Sequence, residues 1–286
     1  MHVRSNRARR AKRSHGGGSY YPDEPVPRGN VYDYHVHSNY SDGDFLPSML
    51  RAAEAAGLAG VGIADHCVVV PDEKIRRFRD AYGFTLDQTY PRRRRAIENL
   101  RDRYEIEVYD AAEMDYEPSA ETEIREFLDE AEFDYTVGSV HALDGTNVHY
   151  EEHFAEMSAA DRRDAVERYF EKVVALAESE LFEVAAHLDL VERNTALRGL
   201  ATEEQYERVA RAFADSRTVP EINAGRVLDD YGEFHPTPGL LSALRAEGVE
   251  FVLGTDAHAP DEVVARADAL REFVRSEGIS PVELDL

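Results

Sequence analysis

The sequence predicts a parallel α/β barrel built from seven strands. Short apolar runs alternate with longer amphipathic segments seven times after Asn30. Several of these runs are nearly continuous Val, Ile, Leu and Ala, which is typical of strands buried on both faces. The chain has 286 residues, enough for one large α/β domain or two small ones. Seven strand–helix alternations favour a closed barrel, although the same periodicity is compatible with an open parallel sheet.

Several of the elements have recognisable boundaries. Thr202 is a residue type that often caps the start of a helix, and the two glutamates after it are typical of a first helical turn. Pro91 directly precedes another helical pattern. Gly57 and Gly248 stand where helices are expected to stop. The predicted strands are 31–36, 58–64, 106–112, 133–140, 181–187, 218–222 and 249–253. The predicted helices include 47–56, 92–104, 121–131, 161–179, 202–215 and 238–247.

The composition excludes several classes of protein. No segment approaches the roughly 20 apolar residues that a membrane-spanning helix needs, so a transmembrane protein is not expected. The only cysteine, Cys67, excludes a disulfide-stapled fold and a cysteine-rich zinc site. The formal net charge of −24 opposes nonspecific binding to nucleic acids. We expect a cytoplasmic protein.

The charged residues are unusual in kind as well as in number. Arginine supplies nearly all of the positive charge, since Lys12, Lys74 and Lys172 are the only lysines. A strongly acidic, lysine-poor surface suggests a protein that is kept soluble at very high salt, as in halophiles. An ordinary acidic cytosolic protein is the alternative explanation of the same composition.

Residues 1–28 differ from the rest of the chain, and we predict a basic tail before a single domain of residues 29–286. The first 15 residues contain six Lys and Arg side chains and no acid, and glycine-rich and proline-rich segments follow. The tail could bind an acidic partner or a nucleic acid, or it could be a solvated disordered extension or the product of a misassigned start codon. No apolar region of about 7–15 residues follows it, so a signal peptide is not expected.

Histidines and acids stand at the carboxyl end of each predicted strand, and six of the 11 histidines are among them. The carboxyl ends of parallel barrel strands converge on one face, so we expect these side chains to meet there. A lone His-x-His pair is more often a hydrogen-bonded or surface pair than a ligand, but seven such strand ends predict a metal site. The residues are His35 and His37, Asp65 and His66, Glu113, His141, His187, Glu221 and Asn223, and Asp256 and His258.

Six short motifs contain most of these residues: HVHSNYSDGD, IADH, the single Glu113, GSVH, AHLDLV and GTDAH. They resemble the motifs of the polymerase-and-histidinol-phosphatase (PHP) superfamily, in the same order. A closer resemblance, to the histidinol-phosphatase branch, lies in FDYTVGSVHALDG, AHLDLVERN and EINAGRVLDDYGEFHPTPGLLSALRAEGVEFVLGTDAHAP. The resemblance runs from about residue 30 to residue 275 and implies a distorted seven-stranded (β/α)7 TIM-like barrel, the PHP fold.

The resemblance implies three divalent metal ions, two of them bridged by one glutamate. The implied ligands are His35, His37, Glu113 and Asp256 for the first ion, Glu113, His141 and His187 for the second, and Asp42, His66 and His258 for the third. Imidazole and carboxylate ligands without thiolate suit Zn²⁺, Mn²⁺ or Fe²⁺, and the sequence leaves that choice open.

The implied activity is hydrolysis of a small phosphomonoester, most specifically L-histidinol phosphate in histidine biosynthesis. Neighbouring metal ions can share a hydroxide at neutral pH and clamp phosphoryl oxygens, which suits attack of that bridging hydroxide on phosphorus. Asp256 and His258 are the candidate catalytic residues. One alternative is a phosphodiesterase or nuclease of the same superfamily that acts on nucleotides or DNA. A second is a non-catalytic scaffold domain stabilised by metal.

Three arginines are candidates for binding the substrate phosphate. Arg193, Arg198 and Arg226 follow the fifth and sixth strands on the face of the predicted metal site. Arginine can hold a phosphate through two parallel hydrogen bonds, so we predict that at least one of them contacts phosphate. Each of them, taken alone, is more typical of a surface salt bridge.

Other residues near the site have two interpretations each. Asp65 and Asp189 either orient ligand imidazoles or cap the ends of strands. Residues 67–103, which include four consecutive arginines at 92–95, form either a helical lid that recognises substrate or a peripheral helix with a solvated arginine face. Cys67 is expected to be a small buried residue rather than a ligand.

Overall fold

The computed structural model describes residues 31–286, and its strands form the predicted parallel sheet. The strands are β1 (Tyr32–Val36), β2 (Gly60–Cys67), β3 (Glu107–Asp115), β4 (Tyr135–Ser139), β5 (Ala142–Leu143), β6 (Thr146–Asn147), β7 (Val184–Ala185), β8 (Val219–Asn223) and β9 (Val252–Gly254). Seven of them lie side by side in the order β1-β2-β3-β4-β7-β8-β9, and all of these pairs are parallel. The strands β5 and β6 form a separate antiparallel hairpin.

The two edges of the seven-stranded sheet meet, so the sheet is a nearly closed barrel. His37 N donates to Ala257 O (2.9 Å), and Asp256 N donates to His35 O (2.8 Å). These bonds join the end of β1 to the segment that follows β9. The predicted seven-stranded barrel is confirmed, and the open-sheet alternative is wrong.

Helices follow most of the barrel strands. They are α1 (Leu46–Ala55), α2 (Glu73–Tyr82), α3 (Leu86–Arg101), α4 (Glu121–Ala131), α5 (Glu151–Ala155), α6 (Ala159–Ser179), α7 (Glu203–Ala214), α8 (Pro238–Ala246) and α9 (Pro260–Glu277), with short 3₁₀ helices at Pro118–Ala120 and Leu190–Arg193. Thr202 caps α7 through a reciprocal capping box with Gln205, as its composition predicts. The predicted start of α3 is wrong: buried Leu86 anchors an earlier first turn, and Pro91 lies inside the helix.

The barrel interior below the site is filled mainly by side chains from the strands, and Val282 and Leu284 after the last helix pack against them. Tyr34, Tyr135, Val137 and Val252 belong to this cluster, and Tyr135 donates a hydrogen bond to the Tyr34 carbonyl (2.6 Å). Larger apolar clusters pack the helices against the outside of the sheet. The interior is therefore closed below, and the polar strand ends stand above a packed floor.

The amino-terminal prediction concerns a part of the chain outside the structure. The basic tail of residues 1–28 lies before the described residues, and the domain boundary at residue 29 stays a prediction. Along residues 31–286, the structure contains no helix with the length and apolar character needed to cross a membrane.

Candidate metal centre

Glu113 lies at the centre of a buried cluster of imidazoles. Its side chain is 1% exposed, and the register of β2 and β3 places it beside His66. The imidazoles that surround it come from β1, β2 and the ends of β4 and β7. His35 Nε2, His37 Nε2 and His66 Nδ1 lie 3.4, 3.6 and 2.7 Å from Glu113 Oε2, and His141 Nε2 and His187 Nε2 lie 3.4 and 3.0 Å from Oε1.

A second group adjoins this cluster on its more exposed side. Asp42, in the loop after β1, is 39% exposed, and its Oδ1 lies 3.4 Å from His258 Nε2 and 3.8 Å from His66 Nε2. His37 connects the two groups, because its Nδ1 lies 3.8 Å from Asp42 Oδ1 and its Nε2 lies 3.4 Å from Asp256 Oδ1. The structure thus brings all nine residues implied as ligands to one place.

Three overlapping sets of these side chains have ligand atoms within 4.8 Å of one another. The sets are His37, Asp42, His66 and His258; His35, His37 and Glu113; and His66, Glu113 and His141. The first two agree with the implied third and first ions, except that His37 belongs to both and that Asp256, an implied ligand of the first ion, is in none of the sets. In the last set His66, rather than His187, accompanies His141. Glu113 belongs to two sets, as a bridging carboxylate would.

A polar atom without a hydrogen bond supports the fit of a cation. Glu113 Oε2 is buried and makes no hydrogen bond with any group of residues 31–286, although three imidazoles lie near it. A buried carboxylate oxygen without a partner is costly, and a bound cation would remove that cost. Nitrogen and oxygen donors without sulfur suit Zn²⁺, Mn²⁺ and Fe²⁺. These residues can therefore hold divalent metal ions.

The protonation states of the carboxylates and of His37 suit ligands, whereas neighbouring carboxylates outweigh burial and raise the pKa values of the imidazoles at His35, His66, His141 and His258. Burial would raise the pKa of Glu113, but the neighbouring charged imidazoles outweigh it and lower the pKa well below the usual value. Asp256 behaves in the same way, because the hydrogen bond from His37 outweighs its burial. Burial lowers the pKa of His37 to about 4, with His258 and His66 contributing, so its ring is neutral and keeps a free lone pair at neutral pH.

The backbone near the cluster adopts conformations that are sparsely populated. His187 and Asp256 have φ angles of 28° and 50°, in the left-handed region that disfavours residues other than glycine. Such strain persists where the surrounding structure imposes it, and it concentrates at functional sites. The backbone of Gly225 also lies very close to the side chains of Asp256 and Arg193. A Cβ at this position would overlap Asp256 Oδ2 and would lie 2.9 Å from Arg193 Nη2.

A cavity of about 390 Å³ opens beside the cluster. It is lined by Glu113, His141 and His187 on one side and by two of the three predicted phosphate-binding arginines on another. Arg193 is nearly buried, with a side chain 9% exposed, and Arg226 is exposed at the rim and pairs with Asp229 (3.1 Å). The volume suits one small molecule.

Residues 33–225 match the sequence model of the PHP domain. This chain belongs to the PHP domain family. A protein of Deinococcus radiodurans named probable histidinol-phosphatase is 30% identical over 228 residues, which cover 78% of this chain and 84% of that protein. The histidinol-phosphatase of Lactococcus lactis is 26% identical over 251 residues, which cover 79% of this chain and 83% of that protein.

A solved structure has the same fold as this PHP chain. The structure of histidinol phosphate phosphatase from Lactococcus lactis, complexed with zinc, L-histidinol and phosphate, aligns with a TM-score of 0.69 and 21% identity. The alignment covers 88% of this chain and 95% of that one. The sequence-based resemblance to the PHP superfamily and its histidinol-phosphatase branch is confirmed.

Two acids of the PHP barrel contact imidazoles that are predicted as ligands, one of them the strand-end Glu221 and the other an acid that the sequence analysis did not single out. Glu221 Oε2 lies 3.0 Å from His35 Nδ1, and Asp115 contacts His141 Nδ1. Carboxylates that bind the far nitrogen of a ligand histidine fix the orientation of its ring. A sequence signal for both existed: Glu221 stands at a strand end, and Asp115 follows Glu113 by two positions on the same face of β3.

Asp65 and Asp189 hydrogen-bond none of the predicted ligands in the described part of the chain, so the expectation that they orient ligand imidazoles is wrong. Asp65 adjoins His66 on β2 and therefore faces the opposite side of the strand. There it accepts hydrogen bonds from Ser38 N (2.6 Å), Ser41 Oγ (2.9 Å) and a buried arginine of α3. Asp65 thus stabilises the loop that carries Asp42.

The third predicted arginine does not line the cavity. Arg198 Nε donates to the carbonyl of Glu192 (2.6 Å), and its guanidinium lies 4.7 Å from the ring centroid of Tyr231. The chain turns into a 3₁₀ helix after β7, which carries Arg193 to the cavity and takes Arg198 beyond it. We therefore retain only Arg193 and Arg226 as candidates.

The structure separates the two interpretations of residues 67–103. Phe78, Tyr82 and Phe84 line the cavity, and the Phe84 ring lies 4.2 Å from that of His66, which favours a covering segment. A wholly solvated arginine face is wrong, because Arg93 is fully buried between acids of the barrel. Cys67 is buried and free, as expected.

Proposed function

We propose that this chain is a metal-dependent phosphomonoesterase that hydrolyses L-histidinol phosphate to L-histidinol and phosphate. The observation that carries the proposal is one cavity that contains both the Glu113-centred cluster and the Arg193 guanidinium. Two relatives named as histidinol-phosphatases, aligned over more than three quarters of this chain, support the choice of substrate. The neighbouring structure that contains zinc, L-histidinol and phosphate supports it further.

The proposed metal ligands are those that the PHP resemblance implies. They are His35, His37, Glu113 and Asp256 for one ion, Glu113, His141 and His187 for a second, and Asp42, His66 and His258 for a third. Divalent ions bound there would supply positive charge for the phosphoryl oxygens and would lower the pKa of a nearby water. The number of ions and the choice among zinc, manganese and iron belong to the proposal.

The side chains of the cavity have distinct proposed roles. Arg193 binds the phosphate from the buried wall, and Arg226 approaches it from the rim. Asp256 is ionised, and its Oδ1 accepts a proton from the water that attacks phosphorus and returns it to the oxygen of L-histidinol as the P–O bond breaks. His258 fixes the turn after β9, because its Nδ1 donates a hydrogen bond to the Asp256 carbonyl oxygen (3.0 Å). The aromatic wall at Phe84 excludes bulk water from the reacting groups.

The net charge of the chain does not oppose this anionic substrate. The acidity is a property of the whole chain, at −24, whereas the cavity combines Arg193 and Arg226 with imidazoles and carboxylates that can hold metal ions. Bound divalent ions would add further positive charge that the composition does not count. The proposed site therefore attracts phosphate locally within an acidic protein.

Turnover by purified protein tests this function. The protein is loaded with Zn²⁺, Mn²⁺ or Fe²⁺ in turn, and phosphate release is measured with L-histidinol phosphate, p-nitrophenyl phosphate and bis-p-nitrophenyl phosphate. We expect a clear preference for L-histidinol phosphate and loss of activity on chelation. A preference for the phosphodiester would instead support the nuclease or phosphodiesterase alternative and refute the proposal.

Asp256→Asn tests whether the cluster performs the reaction. We expect turnover to fall by more than about 100-fold, since even residues that merely support metal ligands typically cost 10- to 100-fold. Asp268→Asn, an exposed acid on α9 that contacts Arg271, is the matched control and should leave turnover unchanged. Equal turnover by the two variants would remove Asp256 from the proposed site. Absence of turnover in the folded, metal-loaded wild type would favour the scaffold alternative.

A further inference from the structure

A buried series of polar side chains runs from the end of β7 to the wall of the cavity. His235 Nδ1 donates to Asp189 Oδ1 (2.6 Å). On the other side of the ring, Arg193 Nε donates to His235 Nε2 (2.9 Å). Arg193 Nη2 donates to Asn223 Oδ1 (3.0 Å) and lies 3.5 Å from Asp256 Oδ2. One imidazole thus connects a buried aspartate to the arginine of the cavity.

The position of His235 is fixed independently of Arg193. Its ring is fully buried, and its backbone pairs with Asn223 in both directions, at 3.0 and 2.7 Å. The ring of Tyr231 stacks on it, with centroids 5.1 Å apart and planes inclined by 11°. Arg198 lies over Tyr231, which gives that arginine a packing role in this stack. His235 is therefore a rigid support.

Hydrogen-bond chemistry leaves one tautomer for His235. Arginine has no acceptor, so His235 Nε2 must offer its lone pair to Arg193. Its Nδ1 therefore carries the proton that Asp189 accepts. Burial lowers the pKa of His235, which favours the neutral ring. Asp189 also accepts bonds from Thr237 N (2.7 Å) and Thr237 Oγ1 (2.5 Å), so its position does not depend on His235.

We propose that His235, held by Asp189, is the positioning residue that aims the Arg193 guanidinium at the substrate phosphate. The proposal rests on the proposed function, because it takes Arg193 as a phosphate-binding residue. The contacts of Nε with His235 and of Nη2 with Asn223 leave Nη1 as the guanidinium nitrogen that is available to the phosphate. Without that contact, the nearby carboxylate of Asp256 would draw the guanidinium toward itself and away from the phosphate.

Two substitutions of His235 separate this role from a purely structural one. His235→Gln keeps an acceptor near the position of Nε2 but loses the donor to Asp189. His235→Asn keeps a donor near the position of Nδ1 but loses the acceptor for Arg193. Positioning of Arg193 predicts that the glutamine variant is close to wild type and the asparagine variant is impaired. A structural role predicts the reverse, because only asparagine satisfies the buried aspartate.

The main measurement is the dissociation constant of inorganic phosphate for metal-loaded protein, obtained by calorimetry with metal content checked for each variant. We expect Arg193→Met and His235→Asn to weaken phosphate binding by about 10- to 100-fold each, the usual effect of losing a hydrogen bond to a charged group. The double variant should be no weaker than Arg193→Met alone. His235→Gln should stay within about threefold of wild type.

Asp189→Asn provides a second test if His235→Asn does not fold. The asparagine can still accept both bonds from Thr237, but its amide would face His235 Nδ1 as a donor. The ring would then carry its proton on Nε2, where it would oppose the Arg193 donor. We expect phosphate binding to weaken as in His235→Asn. Nitrogen-15 chemical shifts of the imidazole should show the Nδ1–H tautomer in wild type and the other tautomer in Asp189→Asn.

The outcomes distinguish this inference from the proposed function. If wild type does not hydrolyse L-histidinol phosphate, the proposed function fails, but the phosphate-binding comparison still tests the positioning role. If His235→Asn and Asp189→Asn bind phosphate as tightly as wild type, the positioning role is refuted while turnover stands. An Nε2–H tautomer in wild type, or additive losses in the double variant, would also refute it.

Discussion

Arg93 is the buried arginine on which the loop of Asp42 depends, and its removal should destabilise the protein strongly. The guanidinium is 0% exposed, with Nη1 2.8 Å from Asp65 Oδ2 and Nη2 2.8 Å from Asp110 Oδ1. In Arg93→Met, Asp110 keeps its bond from Arg94 Nε (2.8 Å), but Asp65 is left buried without a cation. Breaking one buried ion pair costs about 3–5 kcal/mol, and we expect about 3 because serine donors still reach Asp65.

Urea unfolding in the presence of chelator measures this loss without a contribution from metal. With a slope of about 3 kcal/mol per M for a chain of this size, the midpoint should fall by about 1 M. Arg95→Met, an exposed position on the same helix, is the matched control and should change the unfolding free energy by less than about 0.5 kcal/mol. Adding Asp65→Asn to Arg93→Met should recover part of the loss, since it removes the unpaired charge. Equal midpoints for Arg93→Met and Arg95→Met would refute the argument.

Three further predictions concern the site and the surface. Gly225→Ala should lower kcat/KM by about 100-fold with little loss of stability, because the added Cβ displaces Asp256 and Arg193. Unchanged kinetics would show that activity does not need these two side chains to lie so close to the Gly225 backbone. Glu221→Gln should weaken metal binding by about 10- to 100-fold in competition with a chromophoric chelator, since it holds His35; equal affinity would contradict that role. Raising KCl from about 0.1 M to about 3 M should raise the unfolding temperature, because salt screens the repulsion among surface acids; a decrease would contradict the high-salt interpretation.

The candidate ligands could be predicted because they depend on strand topology. His66 and Glu113 are 47 positions apart in the sequence but are direct neighbours in the register of β2 and β3. Once parallel strands are predicted, their carboxyl ends must share a face, and side chains at those ends must meet. Position along the strand is therefore enough to bring together eight of the nine candidates, whereas Asp42, in the loop after β1, is implied by the resemblance to the PHP superfamily.

The supporting contacts could not be predicted, because they depend on loops and on departures from strand geometry. The strand β7 ends at Ala185, and His187 has a φ angle of 28°, so alternation does not continue to Asp189. Asp189 consequently faces His235, which reaches it from a different loop. No periodic pattern in the sequence relates these two residues, although both lie in motifs that resemble the histidinol-phosphatase branch.

The buried acids above the barrel divide into two groups by how their charge is balanced. Asp33, Asp65 and Asp189 accept hydrogen bonds from hydroxyl and amide donors of the chain, so they are satisfied without any ligand. Glu113 has an oxygen that no donor of residues 31–286 satisfies. Carboxylates of the first group fix loops and an arginine in place, whereas the unsatisfied oxygen of Glu113 is available to a cation. A carboxylate thus serves folding or metal binding according to the donors around it, so the net charge of the chain does not show which of its acids can bind a cation.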